Sequence, residues 1–391
     1  MAKAFNGVFL ALGFRPFYLL AGSFACLALL LWLAAYTGLV QWEGYLRGMP
    51  WHSHEMIFGF AAAVVAGFLL TAVRNWTGQP TPSGARLGLL VALWVLARVL
   101  NLTGPAPAAA LIDVAFLPLL GVMIAIPIWR SRNVRNFKIL GVLALLATAN
   151  IVYHLSYMNL LPADCMRPAL IAALDIFTLL MAIVGGRVIP AFTANAVAAA
   201  RPRHIRSVEV VALGSLVLVL CADIVAYWYS PPPVGWFILL ALAAIAQGIR
   251  LGLWQPHRTR HIPLLWMLPV AYGWIPVSLA LRALSQITAL PPTAAIHALT
   301  LGAISGLMLA MMTRSALGHT GRNLAAGWTE TGAFVLIQVA AIVRVGAALI
   351  PAEFYREAVV CSGILWASAF ALFSMRYWPI LTRPRVDGRP G

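Results

Sequence analysis

Twelve times along this chain a run of about twenty apolar residues recurs, each long enough to cross the roughly 30 Å hydrocarbon core of a bilayer. The spans fall at about 15–38, 52–74, 85–103, 107–129, 137–158, 168–190, 208–229, 234–254, 262–285, 294–313, 328–350 and 357–378. A water-soluble domain is excluded: 62% of the 391 residues are hydrophobic and 10% charged, whereas soluble proteins carry roughly a quarter charged residues. A transmembrane barrel would alternate apolar and polar residues in segments of about ten, and the stretch Ala61 to Leu70 does not alternate. The expectation is an all-α polytopic bundle of about twelve transmembrane helices, with 1–391 as one integral membrane domain. The first run, from about Phe14 to Thr37, is too long for the apolar region of a signal peptide and reads as a membrane helix that stays.

The formal net charge of +16 is distributed as a topology signal. With the N-terminus cytoplasmic, the inner loops collect Arg74 and Arg86, then Arg130, Arg132, Arg135 and Lys138, then Arg201, Arg203 and Arg206. Arg250, Arg258, Arg260, Arg314 and Arg322 come next, and the tail adds Arg376, Arg383, Arg385 and Arg389, while the outer connections hold little beyond Arg47, Arg167 and Arg356. Both termini are therefore expected on the cytoplasmic side, and no nucleic-acid partner is needed to explain the charge. Cys26, Cys165, Cys221 and Cys361 form no CxxC pair, so neither a disulfide framework nor a zinc site is indicated. Every connection is short, which confines any chemistry to residues within the helices.

Two segments align without a gap: HEMIFGFAAAVVAGFLLTAVRNWTG from His54 and HALTLGAISGLMLAMMTRSALGHTG from His297. Each opens on a histidine, holds a glycine in register (Gly59, Gly302) and ends in Thr-Gly. A weaker third copy runs from Leu170, with Arg187 in register with Arg314 and Thr193 with Thr77 and Thr320. The copies lie four spans apart, so three pseudo-repeats of four helices are expected, at about 1–134, 135–260 and 261–391. Recurrent small residues also suit any tightly packed membrane helix, and spacings such as Gly302 to Gly306 read as packing.

Ionisable groups inside a span are costly and mark function by default. His52, His54, His154 and His297 all fall in the outer half of the membrane, on three helices, whereas His204, His257, His261 and His319 belong to cytoplasmic loops. Imidazoles at one depth suit iron, copper or zinc, and haem is held by histidines on facing helices. The in-register pair His54 and His297 is the candidate for haem ligation, which leaves His52 and His154 for a second metal, an electron path or hydrogen bonding. Arg98, Asp113, Asp175, Asp223 and Arg344 are buried in spans as well; Arg98 and Arg344 either anchor haem propionates or pair with aspartates of neighbouring helices. At the inner face, Gly185 and Gly186 before Arg187, with Pro190 beyond, are expected to break a helix. Arg187 with Arg314 and His319 either holds an anion or forms a gate there, or these motifs are stop signals anchored at the headgroups, a reading that suits Arg314 and Arg322 better than Arg187.

The strings WHSHEMIFGFAAAVVAGFLLTAVRNWTG from Trp51, GGRVIPAFTAN from Gly185 and HALTLGAISGLMLAMMTRSALGHTGR from His297, with the opening GFRPFYLLAG at Gly13, resemble the NnrS family of twelve-helix membrane proteins over essentially the whole chain. The resemblance implies His52, His54, Glu55, Arg187, Asn195, His297, Arg314, His319 and Arg322 as motif positions. Arg74 is a departure, where the family more often reads proline before NWTG. Family members are associated with denitrification and nitric oxide stress and are described as containing haem and copper. The resemblance therefore implies a bacterial inner-membrane protein, multi-pass, binding haem of b type and copper, that protects against nitrosative stress by binding or handling nitric oxide. A terminal oxidase of the haem-copper type would need about six histidine ligands, against the four membrane histidines here. Two alternatives remain: a secondary transporter of a small anion or metal-related solute, since interrupted helices and repeats are transporter-like, and a helper in assembling a metalloenzyme.

Overall fold

A computed structural model describes residues 7–229 and 231–389; the extreme termini, on which the siding of the two chain ends rests, and the side chain of Arg135 lie outside the described residues. Lipid offers no hydrogen bonds, so a chain of this composition satisfies its backbone within helices. Twelve helices are long and apolar enough to cross a membrane, and no strand occurs among the described residues. They are α1 (Phe14–Tyr36), α2 (Gly48–Thr77), α3 (Gly84–Thr103), α4 (Ala106–Arg130), α5 (Phe137–Tyr157) and α6 (Met166–Ala196). The rest are α7 (Arg206–Val225), α8 (Pro233–Leu253), α9 (Pro263–Leu284), α10 (Pro292–His319), α11 (Trp328–Gly346) and α12 (Tyr355–Thr382). The protein is a multi-pass membrane protein.

Local chemistry sets the helix ends. Proline stands first in α8, α9 and α10, where its missing N–H is not needed and its fixed φ suits a helix start. Gly78 closes α2 at φ 66°, its N–H donating to the Arg74 carbonyl, and Gly321 follows α10 at φ 74°; both are left-handed positions that favour glycine. Thr77, Thr193 and Thr320, matched in the sequence, each donate their hydroxyl to the carbonyl four residues back, at 2.6, 2.9 and 2.7 Å. The Thr-Gly ends are thus helix stops. The chain after α12 folds over one of them: Arg385 donates to the His319 carbonyl at 2.7 Å and Val386 N–H to that of Thr320. Arg385 also pairs with Asp387 and holds its carboxyl down to about 2.

Two compact units make up the chain, Met1–Ala173 with Arg314–Asn323 and Phe373–Gly391, and Leu174–Thr313 with Leu324–Leu372. The first centres on α1 to α5, with Phe14, Phe17 and Tyr18 of α1 among its buried aromatics. The second centres on α7, α8, α9 and α11 with most of α6 and α10, around Trp254, Tyr272 and Phe334.

One expectation is corrected by the course of α6. The glycine pair does not break this helix, which runs unbroken through Gly185, Gly186 and Pro190. A Cβ on Gly185 would meet the Tyr272 ring and one on Gly186 the Arg250 guanidinium, so the pair is kept small for close approach. Arg250 then reaches the Ala182 carbonyl at 2.8 Å and the Tyr272 hydroxyl at 2.8 Å, and pairs with Glu209. A buried cation is served by the helix that was expected to be broken.

Gly302 is likewise pressed against a ring, that of Trp274, and Gly306 against Ala271, which is the packing read from their spacing. Gly302→Ala should lower the melting temperature in detergent, since overfilling a packed site costs about 1–3 kcal/mol. Gly121→Ala, where a Cβ meets nothing within 4 Å, should not lower it.

Candidate metal centre

Four consecutive helices bring seven polar side chains together inside the first unit. α2 contributes His54 and Glu55, α3 Arg98 and Asn101, α4 Asp113, and α5 Asn150 and His154. Residues three and four apart share a helix face, which is how Arg98 with Asn101, and Asn150 with His154, point at one place. All seven are buried, His54, Glu55 and Asn101 completely.

Asp113 is the hub. Its Oδ1 accepts from Arg98 Nη2 and from Asn101 Nδ2, the latter at 3.3 Å. Its Oδ2 lies 2.8 Å from Asn150 Nδ2, 2.9 Å from His154 Nε2 and 3.2 Å from His54 Nε2. Glu55 accepts from Arg98 through Oε2, and from Asn101 Nδ2 at 2.9 Å and His54 Nδ1 at 3.2 Å through Oε1. The Trp94 ring covers the Arg98 guanidinium at 5.8 Å and donates its own N–H to the Gly59 carbonyl. From the loop before α2, the Tyr45 hydroxyl sits 3.0 Å from His154 Nδ1.

The donor and acceptor roles expose a deficit of positive charge. Glu55 can only accept when ionised, so His54 Nδ1 carries a hydrogen, and Nε2 then faces Asn150 Oδ1 at 3.0 Å and Asp113 Oδ2. Asn150 cannot be flipped to help, because its amide nitrogen is already given to Asp113. A neutral His54 would therefore hold a lone pair against two acceptors. Two carboxylates against one guanidinium leave the same cluster one positive charge short. A proton on imidazole or a metal ion among His54, His154 and Asp113, whose ligand atoms lie within 4.8 Å of one another, would remedy both.

A widened helix frames this site. Directly after His54, α2 is π-helical over Glu55–Ala61, and α10 is π-helical over Ala298–Ser305 directly after His297. The two stretches begin at the same offset in the aligned segments. Such turns recur at functional sites, and this one places His54 and Glu55, adjacent in sequence, on one network.

The remaining sequence candidates fall elsewhere. His52 stacks on Trp32 with ring centroids 4.1 Å apart, rather than joining His54, whereas the His154 ring is 4.8 Å from that of His54. Arg98 pairs with Glu55 and Asp113. In the second unit, half-buried His297 donates Nδ1–H to the Thr293 carbonyl at 2.7 Å, and Arg344 bonds the Tyr355 hydroxyl at 3.1 Å. Arg187 is half-buried and Asn195 exposed. In the first unit, Arg314 is half-buried, and the His319 ring lies 5.4 Å from Phe14. Burial, with Arg376 and Arg383 close by, holds the Arg322 guanidinium below its ordinary value. The sequence pattern assigned no role to Asn101, Asn150 and Tyr45; the available signal was the polar pairs three and four apart in apolar helices.

A profile of one family, described as NnrS protein, matches residues 8–385. The chain belongs to the NnrS family. That family is linked to the nitric oxide response. No curated protein matches the chain. Two residues of the polar centre of this NnrS-family chain, His54 and Glu55, belong to the motif WHSHEMIFG, and Arg98, Asn101, Asp113, Asn150 and His154 join them from three further helices.

Arg98→Met should be the most damaging single change at this centre, because it strands two buried carboxylates, and breaking a buried pair costs about 3–5 kcal/mol. Thermal unfolding should show the loss, with part recovered in Arg98→Met/Glu55→Gln, where one stranded charge is removed.

Proposed function

We propose that this protein binds a metal ion and haem in the bacterial inner membrane and protects against nitrosative stress by binding or handling nitric oxide. The observation that carries the reading is the meeting of His54, His154 and Asp113 with acceptors facing His54 Nε2. Tetrahedral metal bonds of about 2.1 Å set donor atoms about 3.4 Å apart; here Asp113 Oδ2 lies 2.9 Å from His154 Nε2 and 3.2 Å from His54 Nε2, and all three ligand atoms lie within 4.8 Å of one another. The outer nitrogens of both imidazoles are held by oxygens, Glu55 for His54 and Tyr45 for His154, the arrangement that orients metal-binding histidines. Imidazole suits copper, and cuprous ion would supply the single positive charge that the two carboxylates and Arg98 leave wanting.

Haem is assigned to His297 rather than to His54 and His297 together. Phe58, Tyr153 and His154 crowd the His54 ring at 4.8 to 5.2 Å, which leaves room for an ion at Nε2 but does not fit a porphyrin. At His297 the bond from Nδ1 to Thr293 leaves Nε2 as the ligating atom. Arg344 lies close by as a cation for a propionate. Ferrous haem held by His297 would supply nitric oxide binding.

The test is composition and spectra of protein purified from cells supplied with copper and haem. His54→Ala or His154→Ala should lose copper and keep haem, and His297→Ala should do the reverse. Glu55→Gln should weaken copper binding about 10–100-fold. Nitric oxide should shift the haem absorption of the unaltered protein. Protein that carries neither group, or contents indifferent to these changes, would refute the reading.

A further inference from the structure

A second charged cluster lies in the other unit and takes no part in the metal or haem reading. Arg282 of α9 reaches two carboxylates on two other helices: Nη1 lies 3.4 Å from Asp175 Oδ1 on α6, and Nη2 bonds Asp223 Oδ1 on α7. The Trp236 ring of α8 covers the guanidinium at 5.4 Å, so its face is already occupied. Asp175 is more than nine-tenths buried, and the second oxygens of both Asp175 and Asp223 are buried without a hydrogen-bond partner. The two carboxyls bond neighbouring nitrogens of one guanidinium, which brings them side by side. Two acceptors therefore face one another in a lipid-embedded unit, with one guanidinium for two carboxylates.

We infer that Asp175 and Asp223 form a proton-binding site, with one proton shared between their free oxygens and Arg282 pairing with the carboxylate that remains. The charge argument requires an occupant of charge +1, since an uncompensated charge within a span is expensive. A hard metal cation fits poorly: calcium gathers about six to eight oxygen ligands, and the cluster offers two free oxygens. Among the described residues no histidine or cysteine joins the two aspartates as a third ligand that would attract a softer ion. A proton satisfies the charge and both unpartnered oxygens in one bond.

The proton would also control packing. When it is bound, α6 and α7 are joined by a carboxyl-to-carboxylate hydrogen bond and clamped to α9 through Arg282. When it leaves to water, two anions compete for one guanidinium and repel, so the three helices lose their common tie. The site is thus suited to loading and releasing a proton as the second unit changes shape. Arg282 is the charged group facing the pair among the described residues, and Trp236 does not titrate.

Infrared spectroscopy of the full chain in lipid nanodiscs, with aspartate carbon-13 labelled at the side-chain carboxyl, tests the inference. At neutral pH the protein should show a carboxylic-acid carbonyl band that moves with the label and with exchange into heavy water. Asp175→Asn and Asp223→Asn should each abolish it. In Asp223→Glu the carboxyl stays but escapes the label, so the labelled band should fall to half or less even if the asparagine variants fail to insert. Absence of a labelled acid band in the unaltered protein would overturn the inference, as would a band unchanged in these variants. Stabilisation by sodium over choline chloride without such a band would assign the site to a metal cation instead. None of these readouts depends on copper or haem, so failure here and failure of the functional reading are separable.

Discussion

The cost of an unpaired charge in hydrocarbon governs this molecule more than any other interaction. In water a stray carboxylate is solvated; within a span it must find a cation or a proton among its neighbours. Three clusters lie where helices bring opposite charges together: Arg98 between Glu55 and Asp113, Arg250 against Glu209, Arg282 between Asp175 and Asp223. These pairings tie helices that lipid alone would not hold in register, because lipid tails are as apolar as the helix surfaces.

Two of the three clusters contain two carboxylates to one guanidinium, and both present acceptors to acceptors. The same imbalance has different consequences because the surrounding chemistry differs. Next to Asp113 stand two imidazoles whose outer nitrogens are already held, which suits a metal ion. Beside Asp175 and Asp223 stands the guanidinium of Arg282, itself covered by the Trp236 ring, and among the described residues no imidazole joins them as a third metal-binding group, which leaves a proton as the fitting occupant. Glycine enters the same argument, since Gly186 is kept bare for Arg250, and a Cβ on Gly59 would meet Glu55 and Arg98.

Much of this was legible in the chain itself. Thr77, Thr193 and Thr320 recur in register near the ends of their helices, and the bond each hydroxyl makes is local, so the matched sequence implied matched structure. The buried charges were visible as charges, and Arg98 paired with carboxylates was one of the two options that the sequence left open. Gly185 and Gly186 misled, because a glycine pair reads alike whether it breaks a helix or admits a neighbour. Arg282 went unremarked near the end of its span, where a cation passes for a headgroup anchor, and the amide partners Asn101 and Asn150 carry no signal strong enough to stand out alone.

What the sequence by itself determined was the set of spans and the family, since these derive from runs of composition and long matched motifs, while the ends shifted by several residues, as in α6, read as 168–190 and found at Met166–Ala196. What only the tertiary structure decided was which charge meets which. A helix that is apolar on every side gives no hydrophobic periodicity from which to read its rotation. The joining of His154 rather than His52 to His54, and the convergence of Asp175 and Asp223 on Arg282, therefore depend on how each helix is turned against its neighbours. That turning is set by contacts between residues dozens of positions apart.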